Sequence, residues 1–335
     1  MSATAAALAG QRLMAGFDGI ALNDDLRFLI AELGIGGIIL FARNIEEPEQ
    51  VRTLIADCQE CAAAAGHAPL LVAVDQEGGS VARLRRPHFP EFAAPPDIPD
   101  ALTAEALAHE MGCLLRRLGF NMNMAPVLDV APAGMESVMA RRSFGSDPQR
   151  VGDMGAAVIR GLQAEGVMAV AKHFPGIGRT TLDSHHVQPV LTASAESIAR
   201  FDLPPFAAAC SDGVAGIMLS HIRYPALDPD WPASLSTAVA RDLLRTQMGY
   251  DGLVMTDDLD MGAIRPAISI ENAAERILAA DIDLALICHS GAAIEAAHAV
   301  FCRGIGGNTN LRRRAEVCKR RITSFKQRWL GKERD

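Results

Sequence analysis

The chain has 335 residues, of which 49% are apolar, 21% charged and only 5% aromatic. That composition excludes a disordered chain, a collagen-like repeat, a disulfide scaffold and, with so few rings, a base-stacking surface. A net charge of −8 argues against a general polyanion binder, and no stretch approaches the ~20 uncharged apolar residues of a membrane span.

The N-terminal run MSATAAALAGQRLMAG is Ala-rich, lacks a basic start and is interrupted by Gln11 and Arg12, so it does not read as a signal peptide. Short apolar runs then recur along the chain: Leu13–Phe17, Gly37–Phe41, Leu70–Val74, Phe120–Met124, Val167–Ala171, Gly216–Ser220, Leu253–Thr256 and Leu284–Cys288. Each has the Val, Ile, Leu or Met content of a strand buried on both faces. Helical segments separate them. Pro48 opens one that Gly66 ends, Thr103 starts one that Gly119 closes, and Asp147 caps one that begins at Pro148 and stops at Gly166. Gly34, Gly36 and Gly37 precede a strand rather than follow one, which makes them turn residues and weakens the alternative of an open doubly wound nucleotide-binding sheet. Eight β–α units without a linker predict a single (β/α)8 barrel spanning residues 1–335.

The seven cysteines are odd in number and scattered, as expected of reduced thiols in the cytoplasm. Cys58 and Cys61 form a C-x-x-C inside a helical run with no second pair, so neither zinc nor redox chemistry is expected there. Residues 311–335 hold ten Lys/Arg against three acids, a local +7 that leaves −15 on the rest. Leu311, Val317, Ile322, Phe325 and Trp329 fall on one helical face, so this segment is expected to pack on the barrel as an amphipathic helix rather than serve as a nucleic-acid arm.

A barrel places its chemistry at the C-terminal ends of its strands. Those positions hold Asp75, Lys172, His173, His221, Asp257 and Asp258. Asp75 and Arg83, eight apart on one loop, could fork around sugar hydroxyls or an anion. After strand five, Gly176 and Gly178 are expected to let the loop bend. Asp183 and His185 follow two apart, so on extended backbone they share a face, and an Asp holding one imidazole nitrogen aims the other at a substrate. On pattern alone D-x-H is a weak signal.

Together the motifs resemble the family 3 glycoside hydrolases, in their bacterial β-N-acetylglucosaminidase branch, over nearly the whole chain. The resemblance rests first on Lys172-His173-Phe174-Pro175-Gly176-Ile177-Gly178 followed by Asp183-Ser184-His185. Met255-Thr256-Asp257-Asp258-Leu259-Asp260-Met261 matches next. Leu40-Phe41-Ala42-Arg43-Asn44, Val74-Asp75-Gln76-Glu77-Gly78-Gly79, Ala125-Pro126-Val127-Leu128-Asp129-Val130 and Arg142-Ser143-Phe144 support it. It implies Asp257 as nucleophile, His185 as general acid/base with Asp183 as its dyad partner, and Asp75, Arg83, Arg142, Lys172 and His173 as the grip on a terminal N-acetylglucosamine. The implied substrate is β-linked N-acetylglucosamine on muropeptide-type cell-wall fragments. No cofactor or metal, nucleic acid or membrane is expected, and a monomer is favoured.

Two residues depart from the family pattern. Ile177 stands where it usually has His, which puts the anchoring of the loop in question, and Arg141 stands where it usually has an acid. Two rivals remain: a metal-dependent barrel hydrolase, which lacks its H-x-H after strand one and its acid after strand eight here, and a catalytically silent sugar-binding homologue.

Overall fold

A computed structural model describes residues 3–180, 189–262, 264, 268–289 and 291–331. Eight parallel strands close into a barrel: β1 Leu13–Ala15, β2 Gly37–Leu40, β3 Leu71–Val74, β4 Met122–Asn123, β5 Met168–Phe174, β6 Gly216–Leu219, β7 Leu253–Asp258 and β8 Leu284–Ile287, with β1 beside β8. All eight apolar runs are thus strands, ringed by helices, as in a (β/α)8 fold.

Alternation sorts the side chains into two cores. Met14, Ile39, Leu71, Ala73, Met122, Met168, Val170, Met218, Met255 and Leu286 fill the barrel, while Leu13, Ile38, Val72, Ala169, Ile217, Val254 and Ala285 face the helices. Flexible Met suits an irregular interior that must be filled without voids.

The helices begin and end largely at their punctuation. Pro48–Ala64 has Pro48 at its first turn, and Pro148–Ala164 is capped by Asp147, which accepts from the Gln149 N–H at 3.1 Å. Gly66 and Gly166 follow with positive φ. The third helix is Ala101–Leu118, and its cap is Asp100 rather than a start at Thr103: the Asp100 carboxylate accepts the Thr103 N–H at 2.8 Å. Cys58 and Cys61 are buried free thiols in the first of these helices.

The basic C-terminal segment is a helix, Thr309–Leu330. Cys318 and Ile322 enter the barrel's inner core, with Phe325 and Trp329 against it. Val317 does not share that buried face; it is exposed, and Cys318 takes the place expected for it. Lys326 Nζ donates to Gln11 Oε1 at 2.9 Å and Cys318 Sγ donates to the Asp283 carbonyl at 3.5 Å. Gln11 lies two residues before β1 and Asp283 immediately before β8, so the helix plugs the N-terminal mouth and leaves the C-terminal rim open. No helix among the described residues is long and apolar enough to cross a membrane.

Asp283 ties plug to barrel. Fully buried, its carboxylate accepts from Arg245 Nη2 at 2.6 Å, Arg321 Nη1 at 2.5 Å and the Val254 N–H of β7 at 2.9 Å. Asp283→Ala should cost about 3–5 kcal/mol in urea unfolding at pH 7, because two guanidinium groups lose their counter-charge together. A loss below about 1 kcal/mol would mean the plug is held by apolar contacts alone.

Candidate active site

At the open rim lies a cavity of about 600 Å3. Asp75, Arg83, Arg142, Lys172, His173 and Asp257 all line it. Lys172 and His173 lie within β5, and Asp257 and Asp258 within β7, rather than past the strand ends. Strict strand alternation would send the neighbours of each pair to opposite faces, yet all four residues line the cavity. The ladders are irregular there, between β5 and β6 at Ala171 to Phe174 and between β7 and β8 at Leu284 to Leu286, which re-aims consecutive side chains to one side.

A charge network occupies one wall. Lys172, 3% exposed, places Nζ 2.7 Å from Asp75 Oδ1 and 2.8 Å from Glu77 Oε1. Arg83 Nη2 reaches Asp75 Oδ2 at 3.1 Å. Arg142 forks Glu77, with Nε to Oε2 at 2.9 Å and Nη2 to Oε1 at 2.6 Å. Asp75 and Arg83, expected to fork around sugar hydroxyls or an anion, pair with each other here, and Asp75 also pairs with Lys172. Glu77, quoted only as part of a motif, is the hub that joins Lys172 to Arg142; the short antiparallel pair Gln76–Gly78 and Val81–Ala82 carries it. Burial alone would raise the pKa of Asp75 and Glu77. The Lys172 charge, with Arg83 at Asp75 and Arg142 at Glu77, outweighs it and holds both carboxyls low.

His173 is oriented from beneath. Its Nδ1–H donates to Asp129 Oδ2 at 2.7 Å, and the Ile177 N–H donates to Asp129 Oδ1 at 2.7 Å. A carboxylate on Nδ1 fixes the tautomer and leaves Nε2 for the cavity. Asp129 is another residue the sequence offered only inside a motif. His221 does not line the cavity: Nδ1 meets Ser234 Oγ at 2.7 Å and Nε2–H donates to the Asp258 carbonyl at 2.8 Å, so it braces the end of β7.

The pKa values of the two β7 carboxylates are pushed in opposite directions. For Asp257, burial would raise the pKa, but His221, His173, the Asp258 N–H at 2.9 Å and Lys172 lower it. For Asp258, burial, with Asp260 and Asp257 nearby, pushes the carboxyl up to about 6. Asp258 is also occupied structurally, accepting from the Asp260 and Cys288 N–H groups at 3.0 Å each.

Asp183 and His185, with Ser184 and His186, lie outside the described residues. The base of their loop is described, and it is tightly packed. A Cβ on Gly178 would lie 2.0 Å from the Val130 carbonyl oxygen, and one on Gly176, at φ +130°, 2.8 Å from Asp202 Cβ. These glycines permit close approach at this point, where bending was expected. Arg179 forms an ion pair with buried Asp202 and donates to Ser197 Oγ at 2.8 Å. Ile177 does not cost this anchorage, because its backbone N–H makes the bond to Asp129. Arg141 is exposed and does not line the cavity. Among the described residues, no three His, Cys, Asp or Glu side chains converge in the cavity as a metal's donors would.

A barrel with a carboxylate-lined cavity at its C-terminal rim has the frame and the acids that glycoside hydrolysis uses. Residues 8–317 match the family model described as the glycosyl hydrolase family 3 N-terminal domain, and the chain belongs to that family and is a glycoside hydrolase. A Pseudomonas aeruginosa β-hexosaminidase is 38% identical over 296 residues, 87% of this chain and 86% of that protein. The family 3 β-N-acetylglucosaminidase of Paenibacillus sp. FPU-7 superposes with TM-score 0.92 at 37% identity, over 98% of this chain; the chain spans 63% of that protein's length. The β-N-acetylhexosaminidase of Beutenbergia cavernae gives TM-score 0.89 at 30% identity, covering 97% and 98% of the two chains.

The depressed Asp75 and Glu77 set a pH dependence with a definite sign. Their stabilisation is present above the unfolded carboxyl values near ~4 and is lost as pH falls through the lower folded values. Urea-unfolding free energies should therefore fall between about pH 4 and pH 2, and Glu77→Gln should flatten that slope while costing about 3–5 kcal/mol at pH 7. An unchanged slope would remove Glu77 as a source of acid sensitivity.

Proposed function

We propose that this chain is a retaining exo-β-N-acetylglucosaminidase that removes non-reducing terminal N-acetylglucosamine from muropeptide-type cell-wall fragments in the cytoplasm. The β-N-acetylhexosaminidase activity is that of its curated and structural relatives. One observation carries the mechanism: Asp257 lines the cavity, is held ionised, and pairs with no cation among the described residues, whereas Asp75 and Glu77 are locked in salt bridges.

Asp257 attacks the anomeric carbon as the glycosidic C–O bond breaks, and His185 gives its proton to the leaving oxygen. Water then attacks the same carbon, His185 takes its proton, and the carboxylate of Asp257 leaves. Asp183 orients the imidazole and favours the imidazolium needed first. Asp75, Arg83, Arg142, Lys172 and His173 grip the terminal sugar, with Glu77 and Asp129 holding that grip in place. The described rim is concave and closed at its base by the C-terminal helix, which fits one catalytic unit taking a chain end.

Trapping with a 2-deoxy-2-fluoro or 5-fluoro glycosyl donor and mapping the labelled peptide tests the nucleophile. Label should fall on Asp257, and Asp257→Asn should lose at least about 10³-fold in kcat on a chromogenic β-N-acetylglucosaminide. Asp258→Asn keeps both backbone bonds and should retain most activity; label on Asp258 instead would overturn the assignment. No turnover of any β-N-acetylglucosaminide would leave the silent homologue standing.

The acid catalyst is tested by leaving group. Losing it hurts poor leaving groups by up to ~10²–10⁴ and activated ones far less. His185→Ala should therefore keep more activity on an activated aryl glycoside than on a disaccharide. If His186→Ala shows that pattern instead, the dyad is misassigned.

A further inference from the structure

The outer helical layer carries a second constellation of donor groups, none of which lines the cavity. His109 and Cys113 lie four apart on helix Ala101–Leu118, so both project from one face. The neighbouring helix Pro148–Ala164 ends beside them, and its capping residue Glu165 leans across. Gly112 permits that approach, since a Cβ there would lie 2.8 Å from Glu165 Cβ. His109 Nε2 stands 2.8 Å from Glu165 Oε1, Cys113 Sγ 3.1 Å from Glu165 Oε2 and 3.8 Å from His109 Nδ1. One nitrogen, one sulfur and one oxygen ligand atom thus fall within 4.8 Å of one another.

We propose that His109, Cys113 and Glu165 bind one Zn2+ ion, with water in the fourth position. The donor set is that of a borderline metal, since hard Mg2+ or Ca2+ takes oxygen ligands alone. Bonds of about 2.0–2.3 Å in a tetrahedron put donor atoms roughly 3.3–3.7 Å apart, so one nitrogen, one sulfur and one oxygen already within 4.8 Å of one another must draw together by about an ångström to close on an ion. Both helices are packed, which spares the site most of its ordering cost. The thiol now donates its proton to Glu165. Binding breaks that S–H bond, forms Zn–S and releases one proton to solvent. The ion would clamp the ends of two adjacent helices.

Reduced full-length protein is titrated with Co2+, followed by absorbance, and then with Zn2+ in competition with a chromophoric chelator. One equivalent of Co2+ should produce a thiolate-to-cobalt charge-transfer band that Zn2+ removes. Cys113→Ser should abolish the band, and His109→Ala should weaken Zn2+ binding by at least about tenfold. Hydrolysis of an aryl β-N-acetylglucosaminide should be unchanged in metal-free Cys113→Ser, so failure of this site is distinguishable from failure of the catalytic reading. A band that survives in Cys113→Ser, Zn2+ binding unaffected by both substitutions, or no binding by the parent would each overturn the proposal.

Discussion

Lys172 sets the terms for the rest of the site. A buried ammonium is tolerated only where opposite charge and hydrogen bonds replace the water it has lost. Burial would push its proton off, and Asp75 and Glu77 hold it on. Those two acids are in turn kept low against burial first by the Lys172 charge and then by Arg83 at Asp75 and Arg142 at Glu77. The result is a wall in which every charge depends on its neighbour. A network so placed has few alternative arrangements, and a rigid polar wall is what recognition of a sugar's fixed hydroxyls requires.

Against that wall the two β7 acids divide the labour. Desolvation acts on both in the same direction, and the difference lies largely in what faces them. Asp257 meets two histidines, a backbone N–H and the Lys172 charge, while Asp258 has the carboxylates of Asp260 and Asp257 near it, which its backbone bonds and His289 do not offset. One is held as an anion at the cavity, and the other is spent fastening the end of its strand to Cys288 and Asp260. Sequence alternation alone does not make that choice, because both residues reach the cavity.

How much was legible beforehand follows from the same physics. Eight doubly buried strands announce themselves as apolar runs, and the first polar residue after each marks the rim. Lys172, His173 and Asp257 were found that way, although the strands run through them. Glu77 and Asp129 were not singled out, because nothing local distinguishes a carboxylate that props another side chain from one that faces solvent. Their partners lie 65 and 44 positions away. The glycines after β5 looked like bending points; the close approach of Val130 and Asp202 that explains them is invisible until the chain is folded.

The C-terminal helix shows the same dependence on distant partners. Read as a run, its cations resemble a polyanion-binding arm. In the fold, Arg321 spends its charge on Asp281 and Asp283, Arg314 donates to the Ala279 carbonyl, and Lys326 is buried against Gln11, where loss of hydration pushes its pKa down to about 7. Asp283 also grips Val254, the second residue of β7, three positions before Asp257. The helix that closes the base of the barrel is therefore bonded to the strand that presents the nucleophile at the rim. Of the charge that looked like an external signal, Arg321 joins Arg245 on Asp283 to hold the lower end of that strand, while His221 braces its upper end.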